Sequence, residues 1–202
     1  MHLVCLDLEG VLVPEIWIAV AKKTGIEELN LTTRDIPDYH ELMQHRLKIL
    51  AEHDLRLPYI QEVIENLEPL EGAEAFLNSI REQTQLIILS DTFLQFASPL
   101  MRKLGWPTLF CNELQVDGEG RITGYELRQE DGKRKAVAAL RSIGFSIVAA
   151  GDSYNDVTML QEAEEGILFR APQSIKKKFL EFPTAETHPQ LLEIIEKFLG
   201  NL

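Results

Sequence analysis

Four short apolar runs, at residues 3–6, 86–89, 147–150 and 166–169, limit what this chain can become. Each is too short for a helix and shows little alternation, as expected of strands buried on both faces of a parallel sheet. Three of them end in small or acidic residues: Asp7-Leu8-Glu9-Gly10, Ser90-Asp91-Thr92 and Gly151-Asp152-Ser153. Helical patterns lie between the runs. Ala136, Val137, Leu140 and Ile143 repeat at i, i+1, i+4 and i+7, and residues 71–82, 93–104 (closed by Gly105) and 187–199 also read as helices. The alternation predicts an α/β protein with a doubly wound, mostly parallel, Rossmann-like sheet. Ligands in such sheets bind at the carboxyl ends of the strands, where all three polar clusters fall.

One segment breaks the alternation. Residues 14–24, 38–52 and 58–66 read as consecutive helices with no strand between them, and Pro37 and Pro58 sit near helix starts, where proline is tolerated. The expected organisation is a core formed by residues 1–12 and 71–202, with a small helical cap, 13–70, inserted after the first strand. Residues 113–128 contain Asp117-Gly118 between two β-prone stretches and predict a structural hairpin.

With 45% hydrophobic and 26% charged residues, the composition is that of an ordinary globular chain. A net charge of −12 repels nucleic-acid backbones and acidic membrane surfaces, so a small-molecule partner is expected. No apolar run is long enough to span a bilayer, and the N-terminus lacks the basic leader of a signal peptide. Cys5 and Cys111 have no metal-binding spacing and are expected to be reduced, buried thiols in a cytoplasmic protein.

The clusters carry distinct chemistry. A carboxylate such as Asp7 can attack phosphorus and hold the phosphoryl group as an acyl phosphate. A second carboxylate two residues on, Glu9, can protonate a leaving oxygen and then deprotonate the attacking water. Asp152 and Asp7, at two strand ends, could share a hard cation such as Mg²⁺, with Asn155 and Asp156 orienting its ligands. Ser90 and neighbouring N–H groups at a helix start suit a phosphate oxygen. A cation from the Lys133-Arg134-Lys135 turn would offset repulsion between Asp7 and a phosphate dianion, although periodicity does not say which of the three points inward. Taken singly, each cluster also reads as a solvated turn or a helix cap.

Together, and in this order, Asp7-Leu8-Glu9-Gly10-Val11, Ser90-Asp91-Thr92, Lys133 and Gly151-Asp152-Ser153-Tyr154-Asn155-Asp156 resemble the haloacid dehalogenase superfamily of phosphohydrolases. The resemblance implies Asp7 as nucleophile, Glu9 as acid/base, and Ser90 and Lys133 as phosphate binders. It also implies Mg²⁺ on Asp7, Asp152 and the main-chain carbonyl of Glu9. Glu9 is a departure, because the superfamily's phosphatases usually carry Asp there. A carboxylate one methylene longer must fold back or sit elsewhere. That would leave the phosphoenzyme alive longer and open to another acceptor.

On helix 38–52, Tyr39, Met43, Arg46 and Leu50 share one stripe, so Arg46 lies on the apolar face, while Glu15 follows the acid cluster. An Arg and a Glu near the site would suit a zwitterionic amino acid; equally, the two could pair or sit in solvent. Pro14-Glu15-Ile16-Trp17 and the cap resemble the phosphoserine phosphatase branch, and within it the members that also pass phosphate to homoserine. That implies O-phospho-L-serine as donor, water or L-homoserine as acceptor, and Glu15 and Arg46 holding the amino and carboxylate groups. Asp91 and Asn155 complete the expected substrate contacts. A phosphatase of another phosphomonoester, such as a sugar phosphate, and a non-catalytic phosphate-binding protein are the competing readings. The five histidines are expected to be structural or surface residues, and Trp17 and Trp106 to pack.

Overall fold

The computed structural model describes residues 1–33, 35–36 and 38–200. Its strands are β1 (His2–Leu6), β2 (Gln85–Phe93), β3 (Thr108–Val116), β4 (Ile122–Glu126), β5 (Ser146–Gly151), β6 (Glu165–Phe169) and β7 (Thr184–Ala185). They form one sheet in the order β4-β3-β2-β1-β5-β6-β7, and only the β3–β4 pair is antiparallel. All four apolar runs are therefore neighbouring parallel strands. Val4 of the central β1 stands level with Leu86 on one side and Val148 on the other.

Side chains alternate across that central strand. Val4 and Leu6 enter one apolar layer, and Leu3 and Cys5 enter the other. The helices are α1 (Ile16–Thr24), α2 (Tyr39–Glu52), α3 (Leu57–Glu65), α4 (Ala73–Gln83), α5 (Leu94–Lys103), α6 (Gly132–Ser142), α7 (Val157–Glu162), α8 (Gln173–Lys178) and α9 (His188–Leu199). Buried residues of α6, α7 and α8 share the layer of Leu3 and Cys5, whereas α4, α5 and α9 share the layer of Val4 and Leu6. The apolar faces of α1–α3 join that second layer, through Ile16, Met43 and Ile60 among others. Crossovers between parallel strands put helices on both faces and leave the carboxyl ends of the strands open for a site.

Several details differ from the sequence expectation. The helix expected from residue 93 starts at Leu94, because β2 continues through Phe93 past a register shift after Leu89. Ser90 and Asp91 thus lie in an irregular strand end rather than at a helix start. Ile143, expected on an apolar face, follows the end of α6 and is 71% exposed. Trp106, expected to pack, is 64% exposed with φ +55, between Gly105 and Pro107; Trp17 is buried edge-on against Phe96. The predicted hairpin exists, but its first strand also begins as a parallel neighbour of β2. The tip of the hairpin touches α3, since Leu57 donates its N–H to the Gly120 carbonyl. Pro37 lies outside the described residues; the start of α2 is capped by Asp38, which accepts from the Glu41 N–H.

Candidate active site

The sheet gathers its polar strand ends around Asp7. The Asp7 N–H donates to Ala150 of β5, which fixes the residue at the end of β1, and its side chain is buried. Oδ1 accepts from the Leu8 N–H (2.7 Å) and lies 2.9 Å from Lys133 Nζ. Lys133, in the first turn of α6, is buried and also bonds Asp156 at 2.7 Å, with Asp91 at 3.6 Å. Arg134 instead pairs with Asp131 and Glu162 at the surface, so the helix itself selects Lys133 as the inward cation.

Burial pushes the Asp7 carboxyl well above its ordinary range, and Asp156 and Asp152 push the same way against Lys133. Burial would lower the Lys133 ammonium, but Asp156, Asp7 and Asp91 outweigh it and hold it well above its usual value. One oxygen from each of Asp7, Asp152 and Asp156 lies within 4.8 Å of the others. Three carboxylates around one ammonium leave negative charge in excess, and their hard oxygen donors fit a divalent cation such as Mg²⁺. Asp156 is already heavily engaged: it accepts from Lys133, from the Asp152 and Ser153 N–H groups, and from the Ser153 hydroxyl. It therefore orients the cluster.

Two glycines allow the close approach. At Gly10 (φ +77) a Cβ would lie 2.6 Å from the Asp152 carboxyl carbon, and at Gly151 it would lie 2.4 Å from Asp156 Cβ.

Glu9 folds back. Its Oε2 accepts from the Ile16 N–H at 2.8 Å and so caps the start of α1, leaving the side chain outside the acid cluster. Burial, with Glu15 nearby, pushes its carboxyl up to about 7, against the Ile16 N–H, Thr92 and Arg46. Arg46 is buried, as its stripe predicts. It lies over the Trp17 ring at 4.6 Å and donates to the Leu31 carbonyl, while its buried Nε has no partner. Burial lowers the guanidinium to about 10, with Tyr39, Glu9 and Glu15 opposing. Arg46 and Glu15 do not form an ion pair, so simple pairing does not explain either residue. Ser90 is buried and accepts from the Thr92 N–H. The carboxylate of Asp91 accepts from Asn155, and its main-chain carbonyl accepts from both Tyr39 of α2 and Asn112 of β3.

Asp7, Glu9, Glu15, Arg46, Ser90, Asp91, Lys133, Asp152 and Asn155, all singled out in the sequence, line one pocket of about 360 Å³; Asp156, singled out with them, lies behind it against Lys133 and Asp152. Among the described residues no histidine lines the pocket. A larger cavity, about 980 Å³, adjoins it and shares Tyr39, Asp91, Lys133 and Asn155. The smaller, inner pocket holds the Asp7, Asp152 and Lys133 groups, and the larger one does not reach Asp7 or Asp152. Sequence reasoning gave no role to Thr92, though it closes the Ser90-Asp91-Thr92 cluster, and missed Arg170; both also line the inner pocket. Arg170 directly follows the fourth apolar run, so the strand-end rule that found the other clusters would have found it.

Residues 1–164 match the haloacid dehalogenase-like hydrolase family. The chain belongs to that family. Curated relatives of this haloacid dehalogenase-like hydrolase include phosphoserine phosphatase ThrH of Pseudomonas aeruginosa, 58% identical over 95% of this chain and 93% of that one. A phosphoserine phosphatase of Pseudomonas syringae pv. tomato is 57% identical over 95% of this chain and 81% of its own length. Among solved structures, a phospho-aspartyl intermediate analogue of phosphoserine phosphatase superposes with a TM-score of 0.79 at 24% identity, covering 96% of this chain and 98% of that one. That likeness shows the shared fold.

Proposed function

We propose that this hydrolase is a Mg²⁺-dependent phosphoserine phosphatase that works through an aspartyl-phosphate on Asp7 and also transfers phosphate to homoserine. The observation that carries the reading is the inner pocket. On its floor Lys133 holds one oxygen of Asp7, and its wall includes the buried Arg46 guanidinium, whose Nε has no partner and which pairs with no carboxylate. The names borne by relatives at 57–58% identity supply the substrate class.

In this reading residues 13–70 form a cap that opens to admit substrate. Arg46 takes the carboxylate of phosphoserine and Glu15 its ammonium, while Ser90 and Lys133 bind the phosphoryl oxygens. Asp7 attacks phosphorus in line, the bond from phosphorus to the serine oxygen breaks, and Glu9 delivers a proton to that oxygen. Glu9 then takes a proton from water, or from a homoserine hydroxyl, as the new oxygen attacks and the bond to Asp7 breaks. Asp7, Asp152 and the main-chain carbonyl of Glu9 would hold Mg²⁺, which supplies charge neutralisation on the phosphoryl group. The Glu9 carboxylate is folded back onto α1, so it must leave the Ile16 N–H to act on either acceptor.

The test is phosphate release from O-phospho-L-serine with Mg²⁺, with and without L-homoserine, scoring phosphohomoserine by mass. The expected result is free phosphate that falls as phosphohomoserine rises. Asp7→Asn should reduce both products by roughly three orders of magnitude or more in a folded protein. Turnover of other phosphomonoesters in a substrate panel, with none of phosphoserine, would reject the substrate assignment.

A further inference from the structure

Two stretches of chain connect α1–α3 to the rest of the molecule: residues 8–15 from β1, and residues 66–72 to α4, the helix that leads into β2. They touch each other, because the Leu70 N–H donates to the Leu12 carbonyl at 2.9 Å. A residue more than a hundred positions away reaches both. His188, the first residue of α9, is 3% exposed. Its Nδ1 lies 3.0 Å from the Glu71 carbonyl oxygen and its Nε2 lies 2.8 Å from the Val11 carbonyl oxygen. Among the described residues, neither oxygen takes a main-chain N–H, so the ring stands in for the backbone donors that these loop carbonyls lack.

The ring is held from every side. Phe76 and Phe169 pack against it with centroids at 5.2 and 4.9 Å. The backbone at Gly72 (φ +83) passes so close that a Cβ would meet Nδ1 at 3.4 Å. Thr187 caps α9 through the Gln190 N–H and fixes where the side chain leaves the helix. Both carbonyls only accept, so each contact is a hydrogen bond when the ring nitrogen facing it carries its proton. Val11 belongs to the same tight turn as Asp7 and Glu9: the Leu12 and Val13 N–H groups both donate to Leu8, and the Gly10 N–H to Val13.

We propose that His188 is a positioning residue. It ties both connecting stretches to the far edge of the sheet, sets the turn that presents Asp7 and Glu9, and restrains the swing of the helices over the pocket. This rests on the reading of Asp7 as nucleophile. Phenylalanine can keep the stacking but neither tie, whereas glutamine can keep one donor.

The experiment compares the full-length chain with H188F and H188Q. It reads amide hydrogen exchange, together with kcat and KM on O-phospho-L-serine and on p-nitrophenyl phosphate with Mg²⁺. In folded H188F, protection in residues 8–15 and 66–73 should fall selectively. kcat should fall roughly tenfold on both substrates, the scale of one or two lost hydrogen bonds. KM should change less, and H188Q should recover part of both effects. Wild-type kcat with unchanged exchange in the two stretches overturns the proposal. So does a loss of protection spread evenly over the whole sheet, which marks a merely structural residue. If H188F does not fold, the same readouts on H188Q decide. A wild-type chain inactive on phosphoserine rejects the proposed substrate instead, and the comparison then stands on the aryl phosphate and on exchange.

Discussion

Arg46 shows how one side chain can be read twice. Its place on the apolar stripe of α2 was visible from spacing, and burying a guanidinium without a carboxylate is costly. The structure offsets part of that cost with the Trp17 ring, the Leu31 carbonyl and the Met43 sulfur, yet leaves the guanidinium without a carboxylate partner. A ligand carboxylate would complete it. Arg46→Ala should therefore lower kcat/KM for phosphoserine by about 2–3 kcal/mol, or roughly 30- to 150-fold, the range for a charged hydrogen bond. The loss on p-nitrophenyl phosphate, which has no carboxylate, should be much smaller. Equal loss on the two substrates would remove the carboxylate role. Glu9 is the opposite case: the sequence revealed an extra methylene, but not that the longer arm would be spent capping α1.

At the scale of elements, the parallel strands were legible because strands covered on both faces leave continuous apolar runs. The end of β2 was not, because a strand that bulges before its helix has the same composition as a helix cap. β3 was half seen: its turn chemistry is local, whereas its pairing with β2 is a long-range match. The turn from β1 to α1 carries the tightest constraint. At Gly10 a side chain would meet both a left-handed backbone and the Asp152 carboxyl at 2.6 Å. Gly10→Ala should cost about 1–3 kcal/mol of stability from backbone strain. It should also reduce turnover more than any such loss of folded protein explains, because it displaces Asp152. Urea unfolding and kcat measured on the same preparation would check this. Unchanged values for both would mean that the loop has room to move.

The whole molecule places a negatively charged cluster inside a chain of net charge −12 and offsets it locally with one buried ammonium. A divalent cation that binds the folded cluster and not the unfolded chain must raise stability, by about 2.7 kcal/mol when present at a hundred times its dissociation constant. Chelation of the protein should therefore abolish phosphate release and lower the thermal midpoint, and Mg²⁺ should restore both. A midpoint indifferent to Mg²⁺ would count against the cluster as a metal site. Among the described residues no helix is long and apolar enough to cross a membrane. The sequence by itself determined the sheet, the strand-end position of its acids and the family, because these depend on local periodicity and on short motifs. Only the tertiary structure decided that Lys133 rather than Arg134 faces inward, that Arg46 is buried without a carboxylate partner, and that His188 meets two distant carbonyls. Each of these is a contact between residues far apart along the chain, and no local pattern encodes which distant partner a side chain will reach.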